Sequence, residues 1–193
     1  PPPPPPPPPP PTCFFQADAG IRVRSPSRGL GDVYKRQALM NVEPEISTDV
    51  IRRSMAIKAD VVSQDERETL GIRIMLNYGH TIGHALESTT EYGTFFHGEG
   101  VSVGMMGAAT MAHEMGLHSQ DLVDRQRVIL ERFNLPTSAK GLNVDAILEG
   151  MSLDKKVQGG SKRWVMLEDV GRSVVRTDVP EELVERTVRG LAS

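Results

Sequence analysis

Twelve of the fifteen prolines lie within the first 26 residues, eleven of them in the unbroken run Pro1–Pro11. A proline run has no backbone N–H and a fixed φ, so it is expected to adopt polyproline II and to bury nothing. From Thr12 to Gln37 no period of 2 or 3.6 is sustained. The one apolar run there, Cys13-Phe14-Phe15, is too short for a signal peptide or a membrane span. The words Ser25-Pro26-Ser27-Arg28-Gly29-Leu30-Gly31-Asp32-Val33-Tyr34-Lys35-Arg36-Gln37 resemble a translated sequencing-adapter tract. Residues 1–37 are therefore expected to be a disordered, non-native tract, and residues 38–193 to carry the fold.

The whole chain holds 22 Lys+Arg against 25 Asp+Glu, a formal net charge of −3. Residues 1–37 contribute five basic and two acidic side chains, so residues 38–193 stand at 17 against 23, net −6. Such a domain has no global positive field to hold nucleic acid, and any anion must be bound by local cations. The single cysteine, Cys13, excludes an intramolecular disulfide and a paired-cysteine zinc module, which points to a reducing compartment, the cytoplasm. No membrane-spanning segment is expected.

Residues 38–193 read as mainly α, a multi-helix domain with one small β-hairpin. Thr48 or Asp49 is placed to cap a helix that carries Ile51, Met55, Ile57, Val61 and Val62 inward, followed by a polar turn over Ser63 to Thr69. A second helical stretch begins near Arg73 and runs through Leu76, Asn77, His80, His84 and Glu87. The small residues Gly104, Gly107, Ala108, Ala109 and Ala112 mark a third helix, Val101 to Met115, that admits a close neighbour, and Gly116 is placed to end it. Further amphipathic stretches run from Ser119 or Asp121 to Phe133 and from Val144 to Met151. The period then changes to that of two strands, Arg163 to Leu167 and Ser173 to Thr177, after a Gly159-Gly160 turn. Pro180 opens the last helix, with Glu181 and Glu182 suiting its dipole.

The chemistry concentrates between Lys58 and Glu99. Asn77, His80, His84 and Glu87 are spaced 3, 4 and 3 apart, so on one continuous helix all four share a face. A solvated polar stripe would have the same spacing. Gly79 and Gly83 argue against that reading, since each costs about 0.5–1 kcal/mol in a helix interior unless something packs against the backbone. His97, in the turn Phe96-His97-Gly98-Glu99-Gly100, supplies a third imidazole from another element. Two imidazoles four apart plus a third is a common way to seat zinc, with carboxylate or water completing the shell. His113 and His118 have no such company and read as exposed or packing residues. Lys58, Arg73, Lys155 and Lys156 are surface cations by default; a pocket for a phosphorylated substrate would need them.

The run Leu76-Asn77-Tyr78-Gly79-His80-Thr81-Ile82-Gly83-His84-Ala85-Leu86-Glu87, with His97-Gly98-Glu99 and Val101 to Met105 after it, resembles the 3-dehydroquinate synthase family of the shikimate pathway. Ile57-Lys58-Ala59, Val61-Val62, Asp65-Glu66-Arg67-Glu68, Gly71 and Arg73 precede it in the family's order, and Asp154-Lys155-Lys156 matches a later motif. The resemblance covers essentially all of residues 38–193. It implies the helical C-terminal domain of a two-domain cytoplasmic lyase whose other domain is α/β and binds NAD. It also implies conversion of 3-deoxy-arabino-heptulosonate 7-phosphate to 3-dehydroquinate and phosphate, with zinc or cobalt as the divalent metal, and a homodimer for the complete enzyme. Carried over by position, His80 and His97 are the metal-ligand histidines, His84 a proton-transfer and phosphate-binding residue, and Glu68 an acidic active-site residue. Lys58, Arg73, Asn77 and Lys156 fall on substrate-binding positions, Lys58 with a catalytic part as well.

Four departures matter. The family's glutamate ligand lies in a Gly-x-Ala-Glu stretch that this sequence lacks, Glu43 and Glu45 standing in the wrong motif. Gly100 replaces the usual alanine after His-Gly-Glu, and the spacing from Glu68 to Arg73 is one residue longer than in some members. No glycine-rich dinucleotide turn is present, so these 193 residues alone are expected to be inactive. The alternatives are a related sugar-phosphate cyclase, a metal-dependent alcohol dehydrogenase-like protein and a non-catalytic metal-binding helical module.

Overall fold

The computed structural model describes residues 35–67, 69–90, 95–157 and 162–193, with residues 153–157 as backbone only. The proline run and most of the adapter-like tract thus lie outside the described residues, as do Glu68 and the Gly159-Gly160 turn. Residues 35–40 are helical across the expected boundary, and Ala38 is buried.

The elements are α1 (Pro44–Gln64), a 3-10 helix (Arg73–Asn77), α2 (His80–Thr89), α3 (His97–Glu114), α4 (Gln120–Arg132), α5 (Val144–Val157), β1 (Trp164–Asp169), β2 (Arg172–Arg176) and α6 (Glu181–Ala192). The mainly helical class with one hairpin agrees with the expectation. β1 and β2 pair antiparallel from Trp164↔Arg176 to Asp169↔Arg172, with an irregularity between Leu167 and Asp169.

The centre of the fold is α3. Gly104, Gly107, Ala108 and Ala109 are buried along with Val103, Met106 and Met111, so this helix is enclosed on nearly every side. Around it, Ile82 and Leu86 of α2, Ile147 and Met151 of α5, Trp164 and Met166 of β1, and Leu183 and Val188 of α6 form one apolar cluster. Each large apolar side chain removed from water there contributes about 1.5–3 kcal/mol. Gly116 ends α3 in the left-handed region, φ 74°, as its place after the last apolar residue suggests.

Two expectations fail at α1. The helix starts at Pro44, a full turn before Thr48 and Asp49, because proline at its first position needs no hydrogen-bonding N–H; Asp49 pairs instead with Arg52 and Arg53 on the surface. The apolar stripe is also not inward: Ile51 is 58% exposed and Met55 66%, Ile57 is exposed too, and only Val61 is buried. The reason is packing, since α1 meets the described residues mainly through its end, at the 3-10 helix. Beside that junction lies an apolar cleft of about 370 Å³ lined by Ile57, Val61, Met75, Met105, Ile129 and Val170 among others.

The turn after α1 is held by one buried acid. Asp65 accepts four backbone hydrogen bonds, at Oδ1 from the N–H groups of Thr69 and Leu70 (2.8 and 3.0 Å) and at Oδ2 from those of Ile72 and Arg73 (2.9 and 3.2 Å). These donors, Leu70 foremost, hold its carboxyl below the usual value against the cost of burial. A depressed folded-state pKa stabilises the fold above the unfolded value of 3.8 and loses that contribution as pH falls through the folded one. Asp65→Asn is therefore expected to lower the thermal midpoint at pH 7, with the deficit against wild type shrinking as both are melted at successively lower pH from 5 to 3. A deficit that stays constant with pH would contradict this role.

Candidate metal centre

The helix expected to run unbroken from Arg73 to Glu87 is broken at Tyr78-Gly79. The 3-10 helix ends at Asn77, Gly79 takes φ 79°, and α2 begins at His80. Asn77 therefore does not share a helical face with the histidines. His80, His84 and Glu87 do, on three successive turns of α2. Gly79 is thus not a helix-interior glycine; it turns the chain into α2 through a conformation that a side chain would strain.

Its second reason is a close approach. A Cβ at Gly79 would lie 2.6 Å from the Met105 nitrogen and 2.7 Å from the Val101 oxygen, and one at Gly83 would lie 3.0 Å from the Val101 nitrogen. From the other side, a Cβ at Gly104 would collide with the Gly79 oxygen, and one at Gly100 would lie 3.1 Å from the Gly83 oxygen. The pairs Gly79/Gly83 and Gly100/Gly104 therefore bring α2 and α3 together backbone to backbone, as the glycine before each histidine suggests.

His97 is not in a loop turn as expected but is the first residue of α3, whose N-terminus is fixed by the Glu99 carboxylate accepting the Phe96 N–H at 2.9 Å. The crossing puts three rings together: His80 and His84 centroids are 5.3 Å apart, His80 and His97 5.2 Å, His84 and His97 5.8 Å. Nδ1 of His80 lies 3.2 Å from the Tyr78 carbonyl oxygen, and Nδ1 of His97 3.0 Å from Glu87 Oε1. Burial first, and then repulsion from the other two imidazoles, hold His80 below the ordinary imidazole pKa, favouring the neutral ring. Ligand atoms of His84, Glu87 and His97 also lie within 4.8 Å of one another. Imidazoles and a carboxylate gathered this way suit zinc or cobalt, so the residues present fit a divalent metal.

The other site residues lie outside this ring cluster. Lys58 is exposed on α1, one turn before Val61. Arg73 is half-buried at the start of the 3-10 helix, its N–H held by Asp65 and its guanidinium donating to the Glu66 carbonyl at 3.3 Å. Asn77 is exposed at the other end of that helix. Glu68 lies outside the described residues, and Lys155 and Lys156 fall in the last turn of α5, where only backbone is described. His113 and His118 pair with each other, ring centroids 6.4 Å apart, with His113 sixteen residues along α3 from His97, about 24 Å away. Asp65 as an anchor and the Glu87–His97 contact were not legible in the sequence, because a lone acid in a polar patch and a pair ten residues apart leave no periodic trace.

A family model described as 3-dehydroquinate synthase C-terminal matches residues 29–157. The 3-dehydroquinate synthase of Nostoc punctiforme is 40% identical over 154 residues, which is 79% of this chain and 42% of the relative. That of Nitrosospira multiformis is 44% identical over 148 residues, 77% of this chain and 40% of the relative. The chain thus spans about two-fifths of the length of the curated relatives it matches. Among solved structures, 2-deoxy-scyllo-inosose synthase complexed with carbaglucose-6-phosphate, NAD+ and Co2+ aligns with a TM-score of 0.65 at 27% identity, covering 76% of this chain and 41% of that one. A 2-epi-5-epi-valiolone synthase from Streptomyces hygroscopicus with NAD+ and Zn2+ bound aligns at 0.67 with 19% identity, covering 83% and 46%, a likeness of fold alone.

The glycine contact yields a direct test. Gly104→Ala is expected to cost about 1–3 kcal/mol or more by denaturant unfolding, as overpacking does, whereas Gly98→Ala, with nothing within 4 Å, stays within about 0.5. Equal effects at the two positions would contradict the close approach.

Proposed function

The chain belongs to the 3-dehydroquinate synthase C-terminal family, and from that premise we propose that it is the metal- and substrate-binding part of a 3-dehydroquinate synthase. The complete enzyme converts 3-deoxy-arabino-heptulosonate 7-phosphate to 3-dehydroquinate and phosphate, with NAD held by a further domain. The observation that carries this reading is the gathering of His80, His84 and His97 within 5.2–5.8 Å, two of them with Nδ1 against an oxygen acceptor.

His80 and His97 hold the divalent metal. When bound, it polarises hydroxyl and carbonyl oxygens as a Lewis acid. His84, exposed beside both rings, exchanges a proton with the substrate and faces its phosphate. Lys58, Arg73 and Lys156 supply the local cations that an acidic domain needs to bind a carboxylate and a phosphate, with Asn77 adding a hydrogen-bonding amide. Glu68 takes the acidic active-site role by its position in the family motif. The Asp65 turn sets the backbone from which Arg73 projects, which ties that acid to substrate binding.

These 193 residues alone do not turn over, because the dinucleotide is held elsewhere in the complete enzyme. No described helix is long and apolar enough to cross a membrane. We place the enzyme in the cytoplasm, as a homodimer when complete, with no nucleic-acid partner. A related sugar-phosphate cyclase is the second reading, supported by the 27% identity to 2-deoxy-scyllo-inosose synthase. The 40–44% identity to curated 3-dehydroquinate synthases favours the first.

Assays of the chain with zinc, NAD and the heptulosonate phosphate are expected to give no phosphate release. Release is expected once the N-terminal portion of the Nostoc punctiforme relative is co-expressed with it, and not with His80→Ala. Turnover by the 193 residues alone would overturn the inactivity, and a complemented complex that acts only on a hexose 6-phosphate would favour the cyclase reading.

A further inference from the structure

We propose that Glu87 is a positioning residue for the metal centre: its carboxylate takes the Nδ1–H of His97 and thereby leaves Nε2 as the lone-pair nitrogen of that ring. The inference rests on the reading of His80 and His97 as metal ligands and adds a residue to which that reading gives no part.

An ionised carboxylate has acceptors only, so the hydrogen in the 3.0 Å contact between His97 Nδ1 and Glu87 Oε1 is carried by the ring. A neutral imidazole protonated at Nδ1 presents its free lone pair at Nε2. His80 reaches the same state by another route, because the Tyr78 carbonyl oxygen 3.2 Å from its Nδ1 is also only an acceptor. Both rings are thus set in one tautomer, each by a group that can accept but not donate. Metal-binding histidines generally donate the other ring N–H to a carboxylate or carbonyl, which fixes ring orientation and raises the basicity of the ligating nitrogen. For His84, among the described residues, no hydrogen bond to either ring nitrogen is found.

The packing explains why Glu87 serves this purpose. It stands seven residues after His80 on the same face of α2, and its side chain is 28% exposed against 59% for His97, so the acid sits deeper than the ring it holds. Its Cγ lies 3.5 Å from where a Cβ on Gly100 would be, which places the side chain along the α2–α3 seam. From there it reaches the first residue of α3. The same glycine contact that brings the helices together therefore delivers the carboxylate to His97.

A rival geometry is present in the same residues, since Glu87 is near enough to His84 and His97 to be a ligand itself. The two roles separate on substitution. Glutamine keeps an oxygen that accepts the Nδ1–H but loses the charge of a ligating carboxylate; alanine loses both.

The test is long-range 1H–15N NMR of the histidine rings in the metal-free 193-residue chain at pH 8, together with zinc affinity by competition with a chelating dye. Wild type and Glu87→Gln are expected to show His97 protonated at Nδ1. Glu87→Ala is expected to show it mainly protonated at Nε2, with His80 unchanged in all three as the control for folding. Zinc affinity is expected to fall by about 10–100-fold in Glu87→Ala, as loss of such an outer partner does, and to recover largely in Glu87→Gln. Protonation of His97 at Nε2 in the wild type, or an alanine variant with unchanged tautomer and affinity, would overturn the role of Glu87. So would a glutamine variant that keeps the tautomer but binds zinc as poorly as alanine, which identifies a direct ligand. A wild-type chain with the expected tautomer that takes up no zinc would overturn the metal reading itself, and with it the purpose assigned to Glu87.

Discussion

The candidate metal centre depends on how closely α2 and α3 approach, and that approach is made by side chains that are not there. Gly79, just before α2, and Gly83 within it face Gly100 and Gly104 of α3, at distances where a single methyl group would meet backbone. Protein interiors are packed too densely to absorb such an addition without moving a whole element. Because His80 follows Gly79 directly and His97 lies three residues before Gly100, the spacing of the helices is also the spacing of the rings. Burial of α3 among Ile82, Leu86, Met166 and Val188 then holds the pair in register.

Much of this was legible in the sequence. The small-residue stripe of α3, its stop at Gly116, the hairpin and the glycine before each histidine all pointed to the observed architecture, because each reflects local backbone chemistry. What could not be read was tertiary. A period of 3.6 continues from Leu76 to Glu87 even though the chain turns left-handed at Gly79, so the break is invisible to any count of apolar positions. The stripe Ile51, Met55 and Ile57 looks inward for the same reason, yet a stripe says only that a helix can be covered and not that the described residues cover it. Asp65 stands in the sequence as one acid within a polar turn, and only its four backbone donors reveal an anchor.

Charge and hydrogen bonding divide the labour within the proposed site. The domain is acidic as a whole, so any anion it binds would have to be met by local cations and not by a general field. The rings work the other way. Burial, and then repulsion from the other two imidazoles, hold His80 below the ordinary imidazole value, and acceptor-only partners set the tautomers of His80 and His97, conditions that suit a metal and would be wasted on a surface stripe. The matched relatives are more than twice as long as the matched region.

The central claim is that the glycine-set crossing makes His80 and His97 a pair of metal ligands. Zinc-edge X-ray absorption of the zinc-loaded chain addresses it most directly, because the outer-shell scattering of imidazole counts the rings bound to the ion. Two imidazoles and an otherwise oxygen shell are expected in the wild type, falling to one in His80→Ala and one in His97→Ala. A spectrum with no imidazole, or one that either substitution leaves unchanged, would contradict it.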